Sequence, residues 1–188
     1  METYQIAIIV ALVLFLIYYN YSRNSTKLLN QSLELWFNQI YQTREYMLSY
    51  FQISSNVQPC LDRLIQNQQD IGNFLGNYLG ASTGATIAEL FTEHINILPK
   101  VLASANTSHQ TPDWSENMEK IALSLSTALK ADFKGLNVIL QKYLDLTEAQ
   151  AISIKAKDYY QSQQDFNNIM LNIKDISHII TNNMISLN

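Results

Sequence analysis

Two side chains that could bind a metal ion or transfer a proton lie on apolar faces of predicted helices. His94 directly follows Glu93 in a segment whose apolar residues recur at helical spacing. An imidazole at such a position could be a metal ligand or a general base. The competing interpretation is a core histidine whose ring is satisfied by a hydrogen bond, and this is the one that we adopt.

Arg44 falls on the same apolar stripe as Ile40 and Phe51. A guanidinium buried there needs a partner, because an unpaired buried charge is very costly. Asp70 or Glu93 could supply that partner from a neighbouring helix. We therefore predict a buried polar cluster whose role is to fix which helix faces which, with a vestigial or working site as the alternative. Its predicted members are Gln39, Arg44, Asn67, Asp70, Glu93 and His94, with Gln68 nearby.

Two further candidates for chemistry are incomplete. Asp175 and His178 have the i, i+3 spacing of di-iron bundles, but those sites need a second such pair and additional inward-facing Glu residues. Cys60 lies beside a predicted helix start, where the pKa of a thiol can fall, but no His or Asn is arranged to assist a nucleophile. We predict no catalytic, cofactor-binding or metal residue and no enzymatic activity.

The elements that must position these side chains are predicted to be helices throughout. Gly (5) and Pro (3) are scarce, which leaves little material for hairpins. Thr111-Pro112-Asp113 predicts a helix start with a capping hydroxyl, and Pro99 predicts a bend or the release of the last turns of its helix. The predicted fold is all-α, with an N-terminal transmembrane helix followed by an antiparallel bundle of four to six helices. Helix boundaries are predicted at residues 54–59, at Gly76 and Gly80, at residues 107–111, at Gly135, and at Thr147 with Gln150.

The N-terminal residues predict a transmembrane anchor over residues 1–23, with a helical domain over residues 24–188. No charge occurs from Thr3 to Ser22, and tyrosines flank the apolar run as they do at membrane interfaces. Basic Arg23 and Lys27 follow the run, which predicts a single-pass protein whose C-terminal domain is cytoplasmic. A cleaved signal peptide is the rival interpretation, but Glu2 precedes the run and bulky tyrosines follow it. The predicted anchor residues are Ile6, Ile9, Leu12, Leu14, Phe15, Leu16, Tyr18 and Tyr19.

Charge and composition restrict the partners. The net charge is −4 and the 12 basic residues are scattered, which argues against nucleic acid as a partner. The single cysteine cannot form an internal disulfide, which favours a reducing compartment. Asn and Gln are unusually frequent, as in proteins from A/T-rich genomes.

Five segments between Leu35 and Ser126 follow a recurring set of motifs. They are Leu35-Trp36 with Gln39-Ile40 and Thr43-Arg44 (LWxxHVxWTR), Arg63 to Gly72 (RLLxNQxDIG), Tyr78-Leu79-Gly80 (YYG), Leu90 to Ile95 (LLxxHI), and Trp114 to Ser126 (WxxNAxxIAxxLS). These segments resemble an uncharacterised helical-bundle family of bacteria and large DNA viruses, and the resemblance implies a helical bundle. Bacterial members of that family carry loose labels such as acetylglutamate kinase or glycosyltransferase, and no Gly-rich phosphate loop supports either activity here. This chain departs from the family pattern at Gln39, where the family has a histidine, and in the added N-terminal anchor.

These observations predict a membrane-anchored structural or interaction protein. Its expected partners are a lipid bilayer and other structural proteins of a capsid or membrane, without a cofactor. The resemblance and the composition suggest a giant-virus virion component that links an internal membrane to the capsid layer. The alternative is a membrane-tethered metal-binding or enzymatic bundle with a degenerate site. A membrane-shaping factor is a third interpretation, weakened because sustained heptads are absent.

Overall fold

Six α-helices account for almost all of the chain that the structure describes. The computed structural model describes residues 2–105 and 111–187, and side chains from residue 8 onward. Within these residues there is no strand, so the prediction of an all-α chain is confirmed. The helices are α1 (Glu2–Phe51), α2 (Val57–Leu79), α3 (Ala81–Ser104), α4 (Pro112–Leu129), α5 (Phe133–Lys155) and α6 (Tyr159–Ser186).

The helices form a closed ring in chain order. Each packs against the next, and α6 packs back against α1. Hydrogen bonds between Ser32 and Ser177 and between Arg44 and Gln163 show that α1 and α6 run antiparallel, since the residue number rises on one helix as it falls on the other. Short connections between consecutive helices give the up-and-down arrangement of an antiparallel bundle.

Apolar residues at helical spacing fill the interior of the ring. The apolar stripe of α4 is buried in full, from Trp114 at its start to Leu129 at its end. Trp36 of α1 meets Phe91 of α3 edge to face, with 5.5 Å between the ring centroids. Such burial is the main favourable contribution to folding, and each large apolar side chain contributes about 1.5–3 kcal/mol.

The helices α2 and α3 make the closest approach in the bundle. Gly80, with a φ of 97°, is the single residue between them, and this backbone conformation favours glycine. A Cβ atom on Gly84 would lie 2.6 Å from the Cα of Gly76, and one on Gly72 would lie 2.7 Å from the carbonyl oxygen of Gly84. Glycine at positions 72 and 84 therefore lets the two backbones touch.

Two predicted features near helix starts differ from the structure. Thr111 is the N-cap of α4 and Pro112 its first residue, but the Thr111 side chain makes no capping hydrogen bond. Gly135 lies in the first turn of α5, where its N–H donates to Oδ2 of the N-cap Asp132 at 2.8 Å. Most of the loop predicted at residues 107–111 lies outside the described residues.

The helix start predicted at Thr147 is wrong. Thr147 lies in the interior of α5 and donates its hydroxyl to the carbonyl of Tyr143 at 2.7 Å. The chain reverses ten residues later, where Lys157 takes a φ of 59° and Oδ1 of Asp158 accepts a hydrogen bond from the N–H of Gln161. Likewise α3 continues past Pro99 to its end, so its last turns are not released.

The predicted transmembrane anchor is wrong. Across residues 2–105 and 111–187, no helix has the length and apolar character that crossing a membrane requires. The physical reason is the length of the run without polar side chains, which covers the 12 residues from Ile6 to Ile17. At 1.5 Å per residue it rises about 18 Å, against a hydrocarbon core of about 30 Å. Asn20 and Arg23 follow within two turns.

Further expectations depended on that anchor and are corrected with it. The single-pass topology, the cytoplasmic placement of a tethered domain and the location in a virion inner membrane are overturned by the same finding. The expected partners stay predictions. The helix α1 runs through residue 24 without interruption.

Candidate functional site

Part of the predicted polar cluster exists at the interface of α1 and α2. Oε1 of Gln39 accepts hydrogen bonds from Nδ2 of Asn67 at 3.1 Å and from Nε2 of Gln68 at 2.5 Å. All three side chains are buried. Carboxamides that bond to one another in an apolar interior fix the register of two helices, because a shifted register would leave them unpaired.

A tyrosine of α5 extends this group across the centre of the ring. Tyr143 is buried with the side chains of Gln39, Thr43 and Thr147 around its phenol. Burial raises the pKa of that phenol, and the polar side chains of these three residues oppose the shift. The phenol is therefore neutral at physiological pH, like the hydroxyls and carboxamides around it.

His94 lies in a separate group, between α3 and α4. Its Nδ1 is 3.1 Å from Oδ1 of Asn117, whose Nδ2 donates to the carbonyl of Leu90 at 3.2 Å. Since that oxygen can only accept, Nδ1 of His94 carries the proton. The imidazole stacks on Trp114 with 4.9 Å between the ring centroids. Burial lowers the pKa of His94 to about 3, against which the hydrogen bond to Asn117 acts weakly. The ring is thus a neutral core histidine.

Arg44, Asp70 and Glu93 do not join either group, contrary to the prediction of one cluster. Asp70 and Glu93 are exposed, and Asp70 accepts a hydrogen bond from Gln66 at 3.2 Å. Arg44 is half-buried against α6. Arg44 is five positions after Gln39, which places the two side chains about 140° apart around the helix. They therefore face different neighbouring helices.

The partners of Arg44 on α6 are not charged. Its guanidinium carbon lies 5.0 Å from the ring centroid of Phe166, and Nη2 donates to Oε1 of Gln163 at 3.4 Å. A cation over an aromatic ring replaces the ion pair that we predicted.

The remaining candidates lie apart from one another. Asp175 and His178 are both exposed on α6. Cys60 is half-buried, with its Sγ 3.6 Å from Oγ of Ser49. Among the residues that the structure describes, no three His, Cys, Asp or Glu side chains are grouped so that they could hold a metal ion.

A long uncovered apolar surface is the part of α1 that precedes the bundle, residues 8–24, which we term the N-terminal extension. From Ile8 to Ile17 the large side chains are between 48% and 62% exposed, on every face of the helix. Among the described side chains of α1, which begin at residue 8, the first buried apolar one is Leu28, which is 6% exposed. Of the predicted anchor residues, Ile9, Leu12, Leu14, Phe15, Leu16, Tyr18 and Tyr19 lie here and are exposed, and the Ile6 side chain lies outside the described ones.

A groove of about 530 Å³ lies at the base of the N-terminal extension, where α1 enters the bundle. The ends of α2 and α6 form its other walls. We term it the basal groove. Its lining residues are Tyr21, Asn24, Ser25, Lys27 and Leu28 of α1, Tyr78 of α2 and Ile185 of α6. It combines apolar side chains, two tyrosines and one lysine beside the exposed helix.

Comparison with family models, with curated proteins and with solved structures finds no match to this chain. The family resemblance described above therefore stays a prediction, and the candidate site is interpreted from its own geometry.

Proposed function

We propose that this chain is a structural and interaction protein whose N-terminal extension docks against helices of other protein subunits. The observation that carries this proposal is the exposure of Ile8 to Ile17 on all faces of α1. A helix that is apolar all round is one that is buried in a larger core. An apolar run of 10–14 residues likewise has the length of a core helix.

The size of the uncovered surface supports a protein interface. The large side chains from Ile8 to Ile17 together present an apolar area on the order of 1,000 Å², above the few hundred Å² of the largest patch on a typical monomer. About 800 Å² per partner is the area of a standard protein–protein interface. The N-terminal extension alone supplies an area of that size.

The interior of the bundle supports a scaffolding role over a catalytic one. The polar side chains of Gln39, Asn67 and Gln68 are bonded to one another, and burial keeps His94 neutral beside Asn117. A virion is one setting for such a scaffold, and this stays a prediction that depends on the resemblance and the composition. Metal analysis of the purified protein tests the alternative of a metal-binding bundle, which stoichiometric metal lost in His94→Ala would favour.

Photo-crosslinking in the native cells or particles tests the docking role. A benzoylphenylalanine at position 15 replaces Phe15, which is 62% exposed on the N-terminal extension. The matched control replaces Tyr160, which is 77% exposed at the start of α6. We expect discrete protein adducts from position 15 and none from position 160. Equal labelling from both positions, or no protein adduct from position 15, would contradict the proposal.

A further inference from the structure

We propose that the seam between α3 and α4 binds one internal water molecule, held by the side chains of Thr111, Trp114 and His94. Each of these side chains has a buried polar atom without a hydrogen-bond partner among the residues that the structure describes. The three atoms are Oγ1 of Thr111, Nε1 of Trp114 and Nε2 of His94. The site lies within the bundle, so this inference is independent of the docking function proposed for the N-terminal extension.

The three atoms supply the hydrogen-bonding groups that one water molecule needs. The indole N–H of Trp114 can only donate. Because Nδ1 of His94 carries the proton that it donates to Asn117, Nε2 of the neutral ring can only accept. The hydroxyl of Thr111 can do both. A water molecule can accept from the indole, donate to the imidazole and form its third hydrogen bond with the hydroxyl.

Burial makes an unpaired ring nitrogen costly at this seam. Trp114 is 1% exposed and His94 is 2% exposed, so bulk solvent does not reach either nitrogen. Leaving a buried donor or acceptor unpaired is unfavourable, and the great majority of such atoms in proteins bond to a protein group or to ordered water. Internal waters typically make about three hydrogen bonds to buried polar groups. The three side chains here match that number.

The stacking of the two rings leaves their edges free for a ligand. The imidazole of His94 and the indole of Trp114 have an interplanar angle of 15° and 4.9 Å between their centroids. Carbon atoms in contact are about 3.5–4.0 Å apart, so the two rings are offset and each extends past the other. Stacking therefore occupies the faces of the rings, whereas the nitrogens lie at the edges and form hydrogen bonds in the ring planes.

The position of Thr111 brings the third group to the same end of α4. Thr111 is the N-cap of α4, and its carbonyl accepts a hydrogen bond from the N–H of Trp114 at 2.9 Å. A threonine at an N-cap usually bonds its hydroxyl to a free N–H of the first turn. The Thr111 hydroxyl makes no such bond. A bound water gives this hydroxyl a partner and joins the start of α4 to His94 of α3.

A crystal structure of the full chain at neutral pH, at a resolution that shows ordered water, tests the site. We expect one water peak within hydrogen-bonding distance of both Nε1 of Trp114 and Nε2 of His94. A protein atom bonded to either nitrogen would overturn the proposal. So would the absence of a peak at this place in a map that shows other buried waters.

Nuclear magnetic resonance of the isotope-labelled full chain tests the site in solution. The indole proton of Trp114 should show a cross-peak to water, with the opposite signs in NOE and ROE spectra that a long-lived water gives. The matched control is Trp36, the other tryptophan, which is 4% exposed and packs edge to face on Phe91. An equal cross-peak at Trp36, or none at Trp114, would overturn the proposal.

A further variant excludes a hydroxyl proton as the source of that signal. Thr111→Val keeps the shape of the side chain and removes the hydroxyl, whose exchanging proton could imitate water. The cross-peak at Trp114 should remain in this variant, because the two ring nitrogens still hold the water. Loss of the cross-peak would assign it to the hydroxyl of Thr111 and overturn the proposal.

Discussion

His94 couples the folding of the bundle to protonation. In the folded chain its pKa is lowered to about 3, whereas the ordinary value is 6.5. Between these two values the unfolded chain binds a proton that the folded chain does not, so stability falls as the pH drops below 6.5. At pH 4.5 the loss from this one residue is about 3 kcal/mol. The seam between α3 and α4, where His94 stacks on Trp114, is the part of the bundle that acid should weaken first.

We expect His94→Gln to lose stability at neutral pH and to lose less of it on acidification than wild type does. Urea unfolding at pH 7.5 and pH 4.5 measures both effects. His178→Gln is the control, because His178 is exposed on α6, and its pH dependence should match wild type. Equal pH dependence in His94→Gln and wild type would show that His94 titrates normally in the folded chain.

The types of the residues predicted several of the buried polar side chains, but they did not predict which of these side chains contact one another. His94 and the pair of Gln39 and Asn67 were found because polar residues on an apolar stripe must be buried and bonded. Arg44 and Asp70 were placed with them because a buried charge needs an opposite one. The guanidinium instead lies half-exposed over Phe166, a contact between α1 and α6 that depends on the order of helices around the ring. That order is not encoded in any local pattern.

At the scale of elements, the hairpin of α2 and α3 depends on two glycines. We expect Gly84→Ala to cost several kcal/mol, because its Cβ would overlap the backbone of Gly76 and neither main chain can move without separating the helices. Gly76→Ala is the matched control on the facing helix. The nearest atom to its Cβ would be 3.5 Å away, an ordinary contact. Alanine's higher helix propensity should make that variant neutral or stabilised by up to about 1 kcal/mol.

Thermal and urea unfolding of the two variants measure the difference. A similar loss in both would mean that the two glycines are needed for the flexibility of the turn at Gly80 and not for the close approach of the backbones. The contrast is informative because Gly84 and Gly76 face each other across the same contact. Both substitutions add the same single methyl group.

Helix boundaries could be predicted where the chain contains a proline or a glycine that interrupts helices, and not elsewhere. The break before Pro59 and the one at Gly80 both lie where the sequence placed them. The reversal between α5 and α6 has neither Gly nor Pro, and a lysine takes the positive φ there. The pattern of Thr147 and Gln150 was mistaken for a helix start because a threonine hydroxyl bonds equally well to the carbonyl four residues earlier inside a helix.

At the scale of the whole molecule, the contact of α6 with α1 closes the ring. The hydroxyls of Ser32 and Ser177 lie 2.7 Å apart and are fully buried, 145 residues apart in the chain. We expect Ser32→Ala and Ser177→Ala each to cost about 1–2 kcal/mol, since each leaves the other hydroxyl buried without its partner. The double variant should cost less than the sum, because two methyl groups leave nothing unpaired.

A double-mutant cycle from urea unfolding gives the coupling energy across the closure. Ser186→Ala is the control near the end of α6, where the side chain is exposed and bonds to the carbonyl of Asn183. Strict additivity of the two buried substitutions would indicate that the hydrogen bond between Ser32 and Ser177 contributes no coupling energy across this closure.

The antiparallel order of the helices followed from periodicity and short connections, which constrain neighbours in the chain to be neighbours in space. The sequence predicts only a range of four to six bundle helices after a separate anchor, whereas the described residues form six helices in all and α1 includes the anchor residues. The role of the first residues did not follow. Hydropathy shows that an apolar segment is unfavourable in water. It does not show whether lipid or protein covers that segment. The 12 apolar residues from Ile6 to Ile17 read as an anchor by composition, and their length is that of a segment for a protein core.

The continuity of α1 has a mechanical consequence. From Glu2 to Phe51 the helix contains neither Pro nor Gly, so no hinge separates the N-terminal extension from Trp36 and Met47 in the core. A force applied to residues 8–17 is therefore transmitted into the bundle through α1, a continuous helix with a total length of about 75 Å. The load reaches buried side chains directly, so the bundle resists displacement of the N-terminal extension.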